Sequence, residues 1–236
     1  PLAPRLFNRH ACLKAQSPAH RESQPMPKKV LFITCDQLRH DVLGYASGWR
    51  GQKLIETPNI DALANDGVIF DNAFTVTAPC GPARASLLTG LYAMNHRAVV
   101  NGAPLSANLP NIAREIRKAG VEPVLFGYTD SAVDPRSVDP NDPATRTYEG
   151  VLPGMRLAGS LNMEHLHDWL SQLAKKGYEI PERHLDIYNH VDANGRLTQN
   201  TDLGEFLDTP ALYRAEDSDT AYIAEAAMDY MRIRAG

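Results

Sequence analysis

Val30-Leu31-Phe32-Ile33-Thr34-Cys35, running into Asp36-Gln37, is the stretch on which the fold class turns. A short apolar run rich in β-branched residues reads as a strand buried on both faces, the kind used by parallel sheets covered on either side. An acidic residue at its carboxyl end stands where open α/β sheets bind ligands.

The segments that follow alternate with it. Thr57-Pro58 opens a helix: threonine can cap, proline suits the first helical position, and Ile60, Leu63 and Ala64 keep helical spacing. Gly67 suits a left-handed stop, and Val68 to Phe74 returns to strand-like character. Pro82 to Leu91 reads as the next helix, with Ala85, Leu88 and Leu91 as its apolar face, which puts Cys80 at or just before a helix N-terminus. Such an end carries free N–H groups and partial positive charge, so it favours anions. Asn108 to Ala119 is the clearest helix, closed by Gly120, and Val124 to Tyr128 is a second buried strand ending in Tyr128-Thr129-Asp130. Asp134 to Pro153, rich in Pro, Asp and Asn, reads as a long loop. Met163 to Lys176 and Ser218 to Arg234 read as helices, the second with Tyr222, Ile223, Ala226 and Tyr230 inward. Between them lies a weakly patterned stretch with turn signals at Asp192, Asn194 and Gly195. Strand and helix in alternation predict an α/β fold: a mostly parallel sheet flanked by helices on both faces, incomplete in this chain.

Bulk properties bound the function. The chain has 236 residues, 43% hydrophobic and 22% charged, with a formal charge of -4 and a pI near 6.1. That balance gives no reason to expect a nucleic-acid partner or an anionic membrane surface, and no apolar run is long enough to span a bilayer. Cys12, Cys35 and Cys80 are too sparse for a disulfide framework and fit a reducing, cytoplasmic compartment, with Cys35 read as core. Residues 1–27 are polar and unpatterned. They read as a disordered leader or an upstream remnant, with Met26 as the natural start and residues 28–236 as the N-terminal part of a catalytic domain.

The chemistry centres on Cys80-Gly81-Pro82-Ala83-Arg84-Ala85-Ser86-Leu87-Leu88-Thr89-Gly90. This run resembles the signature of the sulfatase family within the alkaline phosphatase superfamily, in which the cysteine is oxidised to formylglycine. Asp36-Gln37, TPNID at Thr57 to Asp61, MNHR at Met94 to Arg97, Asn101, and GYTD at Gly127 to Asp130 resemble the phosphonate monoester hydrolase branch. The resemblance implies an alkaline phosphatase-like fold and hydrolysis of phosphonate monoesters and phosphodiesters, with sulfatase side activity. It implies a small anionic ester as substrate, a divalent metal (Mn, Ca or Zn), formylglycine made from Cys80 by a formylglycine-generating enzyme, and a homo-oligomeric full-length parent.

Residue roles follow from the same resemblance. Asp36, Gln37 and Cys80 would hold the metal, since hard cations prefer oxygen donors. Gln37 stands where many sulfatases carry a second Asp. Arg84, one helical turn after Cys80, would hold the nucleophile's oxyanion or the metal ligands. Asn101 and Tyr128, with Thr129 beside them, would donate to the non-bridging oxygens, where charge develops. Asp130 stands where some relatives would carry threonine. The family takes further metal ligands from later in the chain, and no counterpart occurs before Gly236.

Rival readings stay open. One is a true arylsulfatase, and one a non-catalytic fragment lacking the later ligands. A cysteine phosphatase would retain the thiolate, but its loops place five residues between Cys and Arg where this chain has three. His96 and Arg97 read as a solvated helix end, His165 and His167 as surface or packing residues, and the acidic residues near Asp202, Glu205 and Asp208 as a solvated surface.

Overall fold

A computed structural model describes residues 29–46, 55–192, 194–198 and 210–235. The proposed leader and the acidic stretch at 202–208 lie outside the described residues. The chain divides into two units, Pro1–Val68 and Ile69–Gly236.

In the first unit, 3-10 turns at His40–Val42 and Gly44–Ala46 precede helix α1, Pro58–Asp66. Pro58 takes the first helical position, as its fixed φ favours. Thr57 does not cap the helix with its side chain. Its Oγ1 accepts the Gly44 N–H (2.8 Å) and donates to Asp61 Oδ1 (2.9 Å), which also accepts the Tyr45 N–H (3.0 Å). The TPNID segment thus uses its threonine and aspartate to hold residues 44–45. Gly67 closes α1 in extended backbone (φ -114°) and not in the left-handed region.

Residues 30–36 correct the opening expectation. They form no strand, Val30 and Ile33 are 82% and 68% exposed, and Cys35 is exposed too. A strand buried on both faces needs neighbours for its N–H and C=O groups, and among the described residues none pairs with this segment. The strand expected over Val68 to Phe74 is absent for the same reason, with Phe74 83% exposed.

The second unit begins with helix α2, Cys80–Thr89, closed by Gly90 in the left-handed conformation (φ 71°). The short helix α3, Ala93–His96, and α4, Ile112–Lys118, follow. α4 starts later than its periodicity suggests because Asn111, whose side chain accepts the Arg114 N–H at 3.0 Å, is the true cap. Ala85 and Leu88 from α2 pack with Ala98, Leu105, Ala113 of α4 and Leu152 in one buried cluster.

Strand β1, Val124–Phe126, pairs in parallel with β2, Arg156–Gly159. Gly127, at φ 97°, stops β1 before Tyr128. The connection between the strands carries only a 3-10 turn at Pro143–Arg146 and folds back across the end of β1. Helix α5 spans His167–Lys175 and α6 spans Asp219–Ala235. α6 lies against both strands, with the Phe126 and Tyr230 rings 5.5 Å apart and Arg156 Nη2 donating to Tyr230 Oη at 2.9 Å. Under α5 a second cluster buries Leu166, Trp169, Leu170, Leu173 and Ile187. Each large apolar side chain so buried contributes about 1.5–3 kcal/mol. The parallel α/β class holds, with two strands among the described residues.

Candidate active site

Pro79 caps α2 without a side-chain bond, so the helix's first N–H groups need partners from elsewhere. Asn101 supplies one. Its Oδ1 accepts the Gly81 N–H at 2.9 Å, while its Nδ2 donates to Cys80 Sγ over 3.2 Å. Gly81 permits this approach: a Cβ there would stand 3.1 Å from Asn101 Oδ1 and 3.5 Å from Asp130 Oδ2. Asn101 itself is exposed, and Cys80 is half-buried at the first position of the helix.

Arg84 lies one turn along. Its Nη1 donates to the Tyr128 carbonyl at 3.4 Å, and its guanidinium sits over the Tyr128 ring, 4.9 Å from the centroid. This cation–π contact and hydrogen bond tie α2 to the end of β1. Thr129 is buried and bonded to the loop after β1. Its hydroxyl donates to Gly150 O (2.9 Å) and accepts the Leu152 N–H (2.7 Å), so its one proton is committed to the loop and not to a substrate oxygen.

Asp130 follows in the left-handed region, φ 55°, which Asp tolerates better than most residues. Only 7% of it is exposed, and its Oδ1 has no hydrogen-bond partner. Sequence reasoning missed two further residues, Tyr148 and Glu149. Tyr148 packs against Gly102, next to Asn101, and Glu149 is buried with Oε2 accepting the Met163 N–H at 2.7 Å. Burial pushes the Glu149 carboxyl up; the Glu149 charge, then burial, then the charges at Asp130 and Cys80 push the Tyr148 phenol up. They belong to the Pro- and Asp-rich run that reads as plain loop, which carries no periodic signal.

Other expectations resolve locally. His96 is buried, not a solvated end: its Nε2 lies 2.8 Å from Ser86 Oγ of α2, and its Nδ1 accepts the Ala98 N–H at 3.1 Å. His165 and His167 are exposed, His167 with its ring edge to His184. Asp36 and Gln37 belong to the first unit and are exposed, Gln37 with φ 55°.

The family model for Sulfatase matches residues 28–200. The chain belongs to the sulfatase family. This sulfatase-family chain is 37% identical to the multifunctional alkaline phosphatase superfamily protein PehA of Trinickia caryophylli over 212 residues, 89% of this chain and 39% of that protein. It superposes on the phosphonate monoester hydrolase SpPMH from Silicibacter pomeroyi with a TM-score of 0.70 and 45% identity, covering 79% of this chain and 36% of that one. The phosphonate monoester hydrolase of Agrobacterium radiobacter gives a TM-score of 0.71 and 43% identity, covering 84% and 36%. These likenesses establish the alkaline phosphatase-like fold. The chain spans less than two fifths of the length of these relatives.

The family implies in general terms a metal ion and a formylglycine. Residue 80 fits the second: the Asn101 amide that reaches Sγ can donate equally to an oxygen there. The described residues show only part of a metal's donor set. Among the described residues no group of three or more His, Cys, Asp or Glu is arranged to hold one, and Asp36 with Gln37 offers fewer oxygen donors than a hard cation takes. No helix of the described residues is long and apolar enough to cross a membrane.

Proposed function

We propose that this sulfatase-family chain carries the nucleophile of a hydrolase acting on phosphonate monoesters and phosphodiesters, with sulfate esters as side substrates. The observation that carries the reading is Asn101, bonded at once to Cys80 Sγ and to the Gly81 N–H in the first turn of α2. That pairing supports a nucleophile and an oxyanion donor at one point on an anion-favouring helix end. The names of the superposed structures support the phosphonate branch over sulfatases at large.

Formylglycine at position 80 would supply a hydrated aldehyde whose hydroxyl attacks phosphorus or sulfur. This chain's own residues do the rest. The N-terminus of α2 draws the anionic centre, and Asn101 Nδ2 holds the attacking atom and faces the charge that grows on a non-bridging oxygen. Arg84 fixes the end of β1 against α2 and adds positive charge to the same side. The Tyr128 hydroxyl is assigned as a second donor on the family resemblance, its ring stacked under Arg84 at that strand end. Asp36 and Gln37 are assigned to a divalent metal (Mn, Ca or Zn) on the family resemblance, and no step is routed through it. A formylglycine-generating enzyme as maturation partner, a homo-oligomeric parent and a cytoplasmic setting belong to the same proposal.

Intact mass of the full-length parent, co-expressed with a formylglycine-generating enzyme, tests the first half. Conversion removes about 18 Da at Cys80, and an unchanged mass favours a thiol. Kinetics test the second. Turnover of p-nitrophenyl phenylphosphonate and bis-p-nitrophenyl phosphate should exceed that of p-nitrophenyl sulfate. The reverse order would make the enzyme a true arylsulfatase, and no turnover of any of the three would leave a non-catalytic protein.

A further inference from the structure

The buried carboxylate of Asp130 takes no part in the chemistry above, yet it stands beside it. Its side chain is more than nine-tenths buried, Oδ1 lacks a partner, and Oδ2 flanks Gly81 together with Asn101 Oδ1. An unpartnered buried polar atom calls for a reason, because leaving one costs free energy that a folded protein rarely gives up without return. The left-handed backbone at φ 55° fixes where the carboxylate points. Arg84, one turn into α2, bonds to Tyr128, and Glu149 brings a second buried carboxyl to the same flank. The first turn of α2 is therefore an anion-favouring helix end with negative charge built into its wall.

We propose that Asp130 is a specificity-determining residue that admits a tetrahedral centre carrying one negative charge and discriminates against one carrying two. This rests on the reading of the α2 N-terminus as the ester site. Phosphodiesters, phosphonate monoesters and sulfate esters carry one negative charge near neutral pH, whereas phosphate monoesters carry close to two. The helix end and Asn101 hold the first charge. A second unit of charge about 6 Å from a carboxylate, at an effective dielectric near 20, is disfavoured about a hundredfold. An uncharged threonine in this place would impose no such selection.

The test uses Asp130→Asn and Asp130→Gly in the full-length parent, since both replacements tolerate the left-handed backbone. The ratio of kcat/KM for p-nitrophenyl phosphate over bis-p-nitrophenyl phosphate should rise by about 10- to 100-fold in both variants. A second readout does not need turnover. By titration calorimetry at pH 8, inorganic phosphate should gain at least about tenfold more affinity in either variant than singly charged dimethyl phosphate gains. If both anions shift equally, or neither shifts, Asp130 does not select by charge. Absence of ester turnover in the wild type would overturn the proposed activity and leave the calorimetric comparison to decide this inference by itself.

Discussion

Asn101 Nδ2 lies 3.2 Å from Cys80 Sγ, although 21 residues of chain separate the two. The same amide accepts the Gly81 N–H, so one side chain both orders the start of α2 and touches Sγ of residue 80.

Asn101→Asp separates those duties. The acceptor for Gly81 remains, and the donor to residue 80 is lost. In the full-length parent kcat/KM should fall about 100-fold or more, the loss typical of an oxyanion donor. Urea denaturation should show a change of no more than about 1 kcal/mol. Unchanged kinetics would remove Asn101 from the site.

Thr129→Val should do the opposite. The hydroxyl joins Gly150 O and the Leu152 N–H, so its removal should cost about 1–3 kcal/mol in denaturation. With the fold intact, kcat/KM should stay within about threefold of wild type, because the lost contacts are structural. A loss of a hundredfold or more would restore Thr129 as a substrate donor.

His96 makes stability fall on the acid side. Burial holds its pKa below the ordinary value, and a proton on Nδ1 would face the Ala98 N–H, donor against donor. A neutral ring in the fold means that the unfolded chain binds the extra proton. This contribution is fully present above the unfolded value near 6.5 and declines as pH drops through that value toward the lower folded one. Urea midpoints at pH 7.5 and 5.5 should therefore differ less in His96→Gln than in wild type. An equal difference in the two proteins would assign the acid sensitivity elsewhere.

Trp169 is 1% exposed, and its Nε1 donates to Asp217 O at 2.8 Å. Trp169→Ala should cost about 3–5 kcal/mol, and Trp169→Phe about 1–3 through the unpaired carbonyl and lost volume. Chemical denaturation measures both, and a loss below 1 kcal/mol for the alanine variant would mean that the surrounding cluster collapses into the space.

The helices were legible because their signals are local. Pro58 marks the start of α1, Gly120 follows α4, and α5 and α6 repeat their apolar positions every three or four residues, whereas the Gly90 stop and the Asn111 cap were passed over. Strands were harder, since a strand is defined by its partners. Val30 to Cys35 has the composition of a buried strand and is exposed, whereas Arg156-Leu157-Ala158-Gly159 lacks any β-branched residue and forms β2. The helix that follows Cys80 was readable as Pro82 to Leu91, two residues late at its start and two too long at its end. Tyr148 and Glu149 were not, because the crossover between the strands, and no local pattern, carries them to Gly102 and Met163. His96 misled because its helix is four residues long, too short to display which face is inward.

The left-handed backbone at Asp130 also limits how the family can drift at this position. Asparagine or glycine can replace aspartate with little rearrangement, but a β-branched threonine would be strained at φ 55°. Threonine at this position would therefore require a change in the path of the loop after β1. A single Asp130→Thr change should destabilise the fold, and pairing it with a change at a neighbouring loop position should recover part of that loss.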